Sequence, residues 1–186
     1  AELVGMPSLL GACLAIAVSI AISGALHEDG LADVADGFFG GKDKDHRLEI
    51  MKDSRNGTYG TMALILSFAF RVTALSSIIT ADPLAGALAL IAGSVAARTV
   101  LVWHWVELPS ARLGGTADKL GQPHEESLSF AIITGASVVL LSTYLAAGVG
   151  ACILLLVLIS AAAIVFVRLC REKIEGHTGD TLGASA

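Results

Sequence analysis

Long apolar runs separated by short polar blocks make up this chain. Residues 3–26 run for 24 positions without a charge, enough to cross about 30 Å of hydrocarbon. Residues 61–81 form a second run broken only by Arg71, and residues 84–106 a third broken only by Arg98. Asp82-Pro83 supplies the tight turn between them. Residues 127–167 are 41 positions without a formal charge, too long for one span. Gly148 and Gly150 divide this stretch into helices over 127–147 and 151–168, joined by a short hairpin. The pattern predicts an all-α, polytopic membrane helical bundle of about five transmembrane helices. No repeat or low-complexity linker divides it, so residues 1–186 read as one domain.

Between the first two spans lies the most polar stretch, residues 27–60, HEDGLADVADGFFGGKDKDHRLEIMKDSRNGTYG. It holds 8 of the 17 carboxylates and 5 of the 12 Lys and Arg residues. Asp29, Asp33 and Asp36 are spaced i, i+4, i+7, which places them on one face of a helix. Like charges so arranged repel, and the fold gains nothing from them unless a cation sits between them. Oxygen-only ligands favour a hard cation, Mg²⁺ or Mn²⁺. A charge run ordinarily means a solvated face. Here, however, Leu31, Val34, Phe38 and Phe39 interleave with the acids, which suits a helix lodged at a membrane surface. Residues 43–53 read as a short amphipathic helix with Leu48, Ile50 and Met51 towards the bilayer or the core, followed by a turn.

Composition agrees with a membrane protein. The chain is 54% hydrophobic and 16% charged, where a soluble domain carries about 25% charged residues, and its mean hydropathy is +0.74. A net charge of −5 argues against nucleic acid as a partner. Cys13, Cys152 and Cys170 lie far apart in apolar segments and read as small buried hydrophobes. No cleavable signal with a basic leading region is expected ahead of the first run. The polar blocks 27–60, 107–126 and 168–186 carry 5, 2 and 3 Lys and Arg residues, while the two opposite turns carry none. The positive-inside rule therefore places all three blocks on the cytoplasmic side of the cell (inner) membrane.

Arg71 and Arg98 each lie roughly 15 Å below the cytoplasmic end of their helices, at 1.5 Å per residue. Embedded arginines face a partner or a polar cavity. Two readings stand level: an ion pair holding the bundle together, for which the Asp29, Asp33 and Asp36 face offers a partner, or a phosphate-binding floor to a pocket open to the cytoplasm. Glu49 and Asp53, at i and i+4, offer a second set of metal oxygens, although a salt-bridged surface helix explains Glu49 nearly as well. Asp53, Ser54 and Arg55 precede Gly57 and Gly60, which permit the close backbone approach of a phosphate-binding loop. Residues 176–180, GHTGD, share that character through Thr178 and Asp180. His27 directly precedes the acidic helix and suits a base, a substrate ligand or an interfacial cap. His104, between Trp103 and Trp105, suits an interface belt. No GxSxG or HExxH motif is present, so neither a nucleophilic hydrolase nor a zinc protease finds support.

HEDGLADVADGFFGG followed by LEIMKDSRNGTYG closely resembles the cobalamin synthase family. The similarity continues through Arg71 and Arg98, through LPSARLGG with Arg112, and through GHTGDTLGA, in the family's order. Departures fall at Glu28, Asn56 and Glu175, and none removes a motif acid. The resemblance implies further apolar segments before Ala1 and after Ala186. It also implies the joining of adenosylcobinamide-GDP to α-ribazole, or its 5′-phosphate, with release of GMP and a requirement for Mg²⁺. In that reaction Asp29, Asp33, Asp36 and Asp53, with Glu49, would hold metal. A carboxylate (Asp33, Asp36 or Asp53) or His27 would act as base, and Ser54, Arg55, Arg71, Arg98, Arg112, Thr178 and Asp180 would bind substrate. A membrane phosphotransferase of the CDP-alcohol type is the nearest alternative. A transporter is a further one, opposed by the concentration of acids at one membrane face.

Overall fold

The computed structural model describes residues 5–186. Helix α1, Ser8–Ile22, is only 15 residues long, about 22 Å at 1.5 Å per residue. The chain then bends by 87° into α2, Leu26–Gly40. The expected straight span over 3–26 is therefore corrected, and its first two residues lie outside the described residues. Gly24, at φ 62°, ends α1. Its N–H donates to Ala21 O and that of Ala25 to Ile20 O, the paired bonds of a Schellman cap. A count of charges cannot see such a break.

Asp43 caps the short α3, Lys44–Ile50, by accepting from His46 N at 2.9 Å, and Met51 just beyond it is buried as expected. Helices α4, Thr58–Ala81, and α5, Pro83–Glu107, match the second and third predicted spans. Asp82 joins them, its Oδ1 accepting from Leu84 N at 2.8 Å with Pro83 at the first helical position. After α6, Thr116–Leu120, comes α7, Glu125–Ile174, broken at Gly148 (φ 78°, ψ −174°). Its limbs, 125–147 and 149–174, fold back on one another. Cys152 Sγ donates to Leu140 O, and Gly135 and Ser160 line the same 300 Å³ cavity beside Thr99 of α5.

Helices α4, α5 and α7 are long and apolar enough to cross a membrane, with the bent α1–α2 pair a fourth at most. The expected hairpin near Gly148 is present, so α7 supplies two limbs, and the bent α1–α2 pair stands where the first of the about five spans was expected. Large side chains such as Phe70, Phe130, Ile133 and Leu145 stand exposed on these helices, as lipid-facing positions do. The chain is an all-α, multi-pass membrane protein.

At the polar end of the bundle α2 lies across the helix ends. Val34 and Phe38 pack with Met51, Leu108, Val167, Cys170 and Ile174. The polar tail packs back against the bundle. Residues 109–111 and 176–178 form a short parallel bridge, with His177 N donating to Pro109 O and Ala111 N to His177 O, both at 2.8 Å. The bridge delivers α8, Gly179–Ala184, onto α2. Backbone meets backbone there: a Cβ on Gly30 would stand 2.5 Å from Asp180 O, and one on Gly183 2.9 Å from Leu26 O.

Gly30→Ala should therefore push α8 off α2 and cost about 1–3 kcal/mol. Gly150→Ala, whose added Cβ meets nothing within 4 Å, should leave stability unchanged. Thermal unfolding of the two variants in detergent checks this, and equal midpoints would refute the backbone contact.

Candidate active site

Five charged groups from three separate motifs meet at the α2–α8 junction. Asp29, Asp33 and Asp36 occupy one face of α2, Asp180 opens α8, and Arg112 comes from the loop paired with the tail. Arg112 Nη2 donates to Leu48 O at 2.9 Å, and its Nη1 stands 3.9 Å from Asp180 Oδ2. Thr178 caps α8 through a reciprocal pair of bonds with Thr181, and its hydroxyl also lies 3.3 Å from Asp180 Oδ2.

Helix α2 lies at the polar end of the bundle, beyond the apolar limb of the α1–α2 pair, and its central carboxylate titrates late. Partial burial pushes the Asp33 carboxyl up to about 7, reinforced by Asp180, Asp29 and Asp36 and opposed only by Arg112. Burial likewise raises the Asp180 carboxyl, against the lowering pull of Arg112 and the bond from Thr178. Four carboxylates thus share one guanidinium. Among the described residues no three His, Cys, Asp or Glu side chains converge into a closed metal cage. The acidic face remains an oxygen-rich, under-neutralised surface of the kind that a hard cation occupies together with substrate oxygens and water.

Asp36 carries a second duty. Its Oδ2 accepts from Gly57 N at 2.7 Å and its Oδ1 from Gly60 N at 2.9 Å, so it caps α4 from outside that helix. The close approach that Gly57 and Gly60 permit is to this carboxylate, which a Cβ on either glycine would strike.

The other expected site residues lie elsewhere. Asp53 is engaged by Arg55, with Arg55 Nη2 donating to Asp53 Oδ2 at 2.6 Å, and this pair holds the Asp53 carboxyl below its usual range. Ser54 and Glu49 are exposed nearby. None of these four is among the groups that act on Asp33. Arg71 pairs at 2.8 Å with Glu28, not with the triad of aspartates. Arg71, Arg98 and His27 instead line a cavity of about 630 Å³. At about 100° per residue, His27 and Leu31 project from the side of α2 opposite the aspartates, and Glu28 from the flank between the two faces.

Two features escaped the sequence. His104 is fully buried and stacks edge-on against Phe166 and His177, so it does not belong to an interface belt. His177 Nδ1 bonds with Leu108 O at 2.8 Å, and burial lowers the pKa of its ring. Only the pairing of the 109–111 and 176–178 segments, which no local spacing announces, would have found these contacts.

Comparison with known proteins gives a consistent picture. The family model described as cobalamin-5-phosphate synthase (CobS) matches residues 1–186. Adenosylcobinamide-GDP ribazoletransferase of Rhizobium etli (strain CIAT 652) is 46% identical over 178 residues, 95% of this chain and 68% of that protein. The protein of the same name from Rhizobium meliloti (strain 1021) is 46% identical over 180 residues, covering 96% and 69%. The one from Brucella ovis is 43% identical over 189 aligned positions, covering 100% and 72%. No solved structure matches the chain. A match of the family model over all of its residues, with the family's separated motifs folded onto one acidic junction, establishes that the chain belongs to the cobalamin-5-phosphate synthase family.

Proposed function

We propose that this chain joins the adenosylcobinamide phosphate group of adenosylcobinamide-GDP to α-ribazole or its 5′-phosphate, releasing GMP, at the cytoplasmic face of the cell membrane. The observation that carries this reading is the meeting of Asp33, Asp180 and Arg112 from motifs far apart in sequence. The names of the relatives supply the substrates. The asymmetry of Lys and Arg supplies the cytoplasmic orientation.

Asp29 and Asp33 would hold Mg²⁺ together with substrate oxygens, with the charge of Asp36, whose oxygens cap α4, beside them and one guanidinium to offset the group. When bound, the metal would supply charge neutralisation on the diphosphate and the departing GMP. Arg112, held by the Leu48 carbonyl, directs its guanidinium toward Asp180 and would receive the phosphoryl oxygens. The acceptor 3′-hydroxyl oxygen forms the new bond to the phosphorus next to cobinamide as the bond to GMP breaks. The hydroxyl proton passes to a carboxylate of the cluster. Asp180 is best placed to take it, since burial raises its pKa toward that of a competent base and Thr178 fixes its orientation. His27 is assigned no part in this step, because it faces the other side of α2.

Liposomes containing the protein should release GMP from adenosylcobinamide-GDP and α-ribazole in Mg²⁺ and not in EDTA. Release that is insensitive to EDTA would remove the metal from the reading. Turnover with CDP-alcohols in place of these substrates would favour the alternative phosphotransferase. Asp33→Asn should lower turnover by more than the roughly 10–100-fold typical of losing a neighbour to a metal ligand, without altering thermal unfolding in EDTA at pH 5, where Asp33 itself is protonated. Near-normal turnover would exclude Asp33 from the site.

Proton release gives a separate test. The Asp33 pKa lies near 7 in the folded protein, so at pH 6 the group is largely protonated and must lose its proton to bind a cation. Calorimetry in buffers of different ionisation enthalpy should show about one proton released per Mg²⁺ at pH 6 and close to none at pH 8.5. Asp33→Asn should remove the difference. Proton release independent of pH would show that the cation binds elsewhere.

A further inference from the structure

The larger cavity lies behind α2, away from the aspartates. It is an open cleft lined by α1, α2, α4, α5 and α8, with a volume of about 630 Å³, within the range of small-molecule sites. Much of its wall is alanine and glycine, and Ser19, Ser67 and Ser94 contribute hydroxyls. Its cationic groups are unevenly satisfied. Arg71 donates to Glu28 Oε1 at 2.8 Å, whereas the hydrogen bond of the Arg98 guanidinium among the described residues is to Ser94 O of its own helix, at 2.9 Å. Glu28 Oε2 and His27 Nδ1 are buried without a hydrogen-bond partner. Among the described residues that line it, two guanidiniums face one carboxylate, an excess of one positive group between membrane helices.

An uncompensated charge at that depth is costly, and intramembrane arginines face a partner. A phosphate group accepts paired N–H donors from a guanidinium, and a phosphodiester keeps a single negative charge. We infer that this cavity is a binding site for a monoanionic phosphodiester, held by Arg98 with Arg71 beside it and separate from the carboxylate cluster. A single negative charge balances the chamber, whereas a doubly charged phosphomonoester would leave it negative. The diester group could belong to a bilayer phospholipid or to a soluble molecule, and the inference does not depend on the transferase reading.

The intact chain, purified and delipidated in a non-ionic detergent, would be titrated with dioleoylphosphatidylglycerol, with glycerophosphoglycerol (the same headgroup without tails) and with glycerol 3-phosphate. Native mass spectrometry and calorimetry would report binding. At least one of the two diesters should bind saturably and more tightly than the monoester. Binding of the lipid alone identifies a membrane source, and binding of both identifies recognition of the headgroup. Arg98→Ala should weaken the diester by at least about tenfold, the scale of one charged hydrogen bond. Glu28→Gln should act in the opposite direction, strengthening diester binding and bringing the monoester level with it. If Arg98→Ala does not accumulate, Arg98→Gln with Glu28→Gln carries the same comparison. Absence of saturable diester binding, equal affinity in Arg98→Ala and the unaltered protein, or weaker binding in Glu28→Gln would each overturn the inference.

Discussion

The contact between α2 and α8 governs the polar end of this molecule. It is made by backbone, because Gly30 and Gly183 bring the two helices closer than any side chain permits. That approach carries Asp180 toward Asp33 and Asp29 and brings Arg112 along through the bridge between residues 109–111 and 176–178. Without it the acidic face of α2 would be an ordinary solvated stripe. The small residue in the DGLAD motif is thus as necessary to the site as the acids around it.

Helix α2 separates two chemistries. One side presents carboxylates to the polar end of the bundle. The other presents His27, Glu28 and Leu31 to a chamber lined by two arginines. Asp36 ties these regions to the membrane helices by capping α4, so the electrostatics of the site and the seating of a spanning helix share one carboxylate. Glu28 holds Arg71 in the cavity.

Much of this architecture was legible in the sequence. Uncharged runs gave α4, α5 and the hairpin at Gly148, because lipid exposure demands continuous apolarity. The i, i+4, i+7 spacing gave the acidic face. The break at Gly24 was invisible to hydropathy, since a Schellman cap changes direction without adding charge. The partners of Arg71 and Asp53 were not legible either. Arg71 chose Glu28 over the aspartates by virtue of the side of α2 that meets α4, and Asp53 was taken by Arg55 two residues away. Resemblance to a family placed Arg112 and Asp180 among the functional residues. Their meeting with Asp33 depends on packing across the whole length of the chain, which no local pattern encodes.

Asp33 and Asp180 are joined only at the end of a long wait. The acidic face of α2 leaves the ribosome well before α8, and at roughly 5–20 residues per second the interval is about 7–30 s. During that time four membrane-crossing segments must insert while the aspartates have neither Arg112 nor the tail beside them. The acidic surface therefore emerges early, and α8, which packs against it, follows only after the four crossing segments between them.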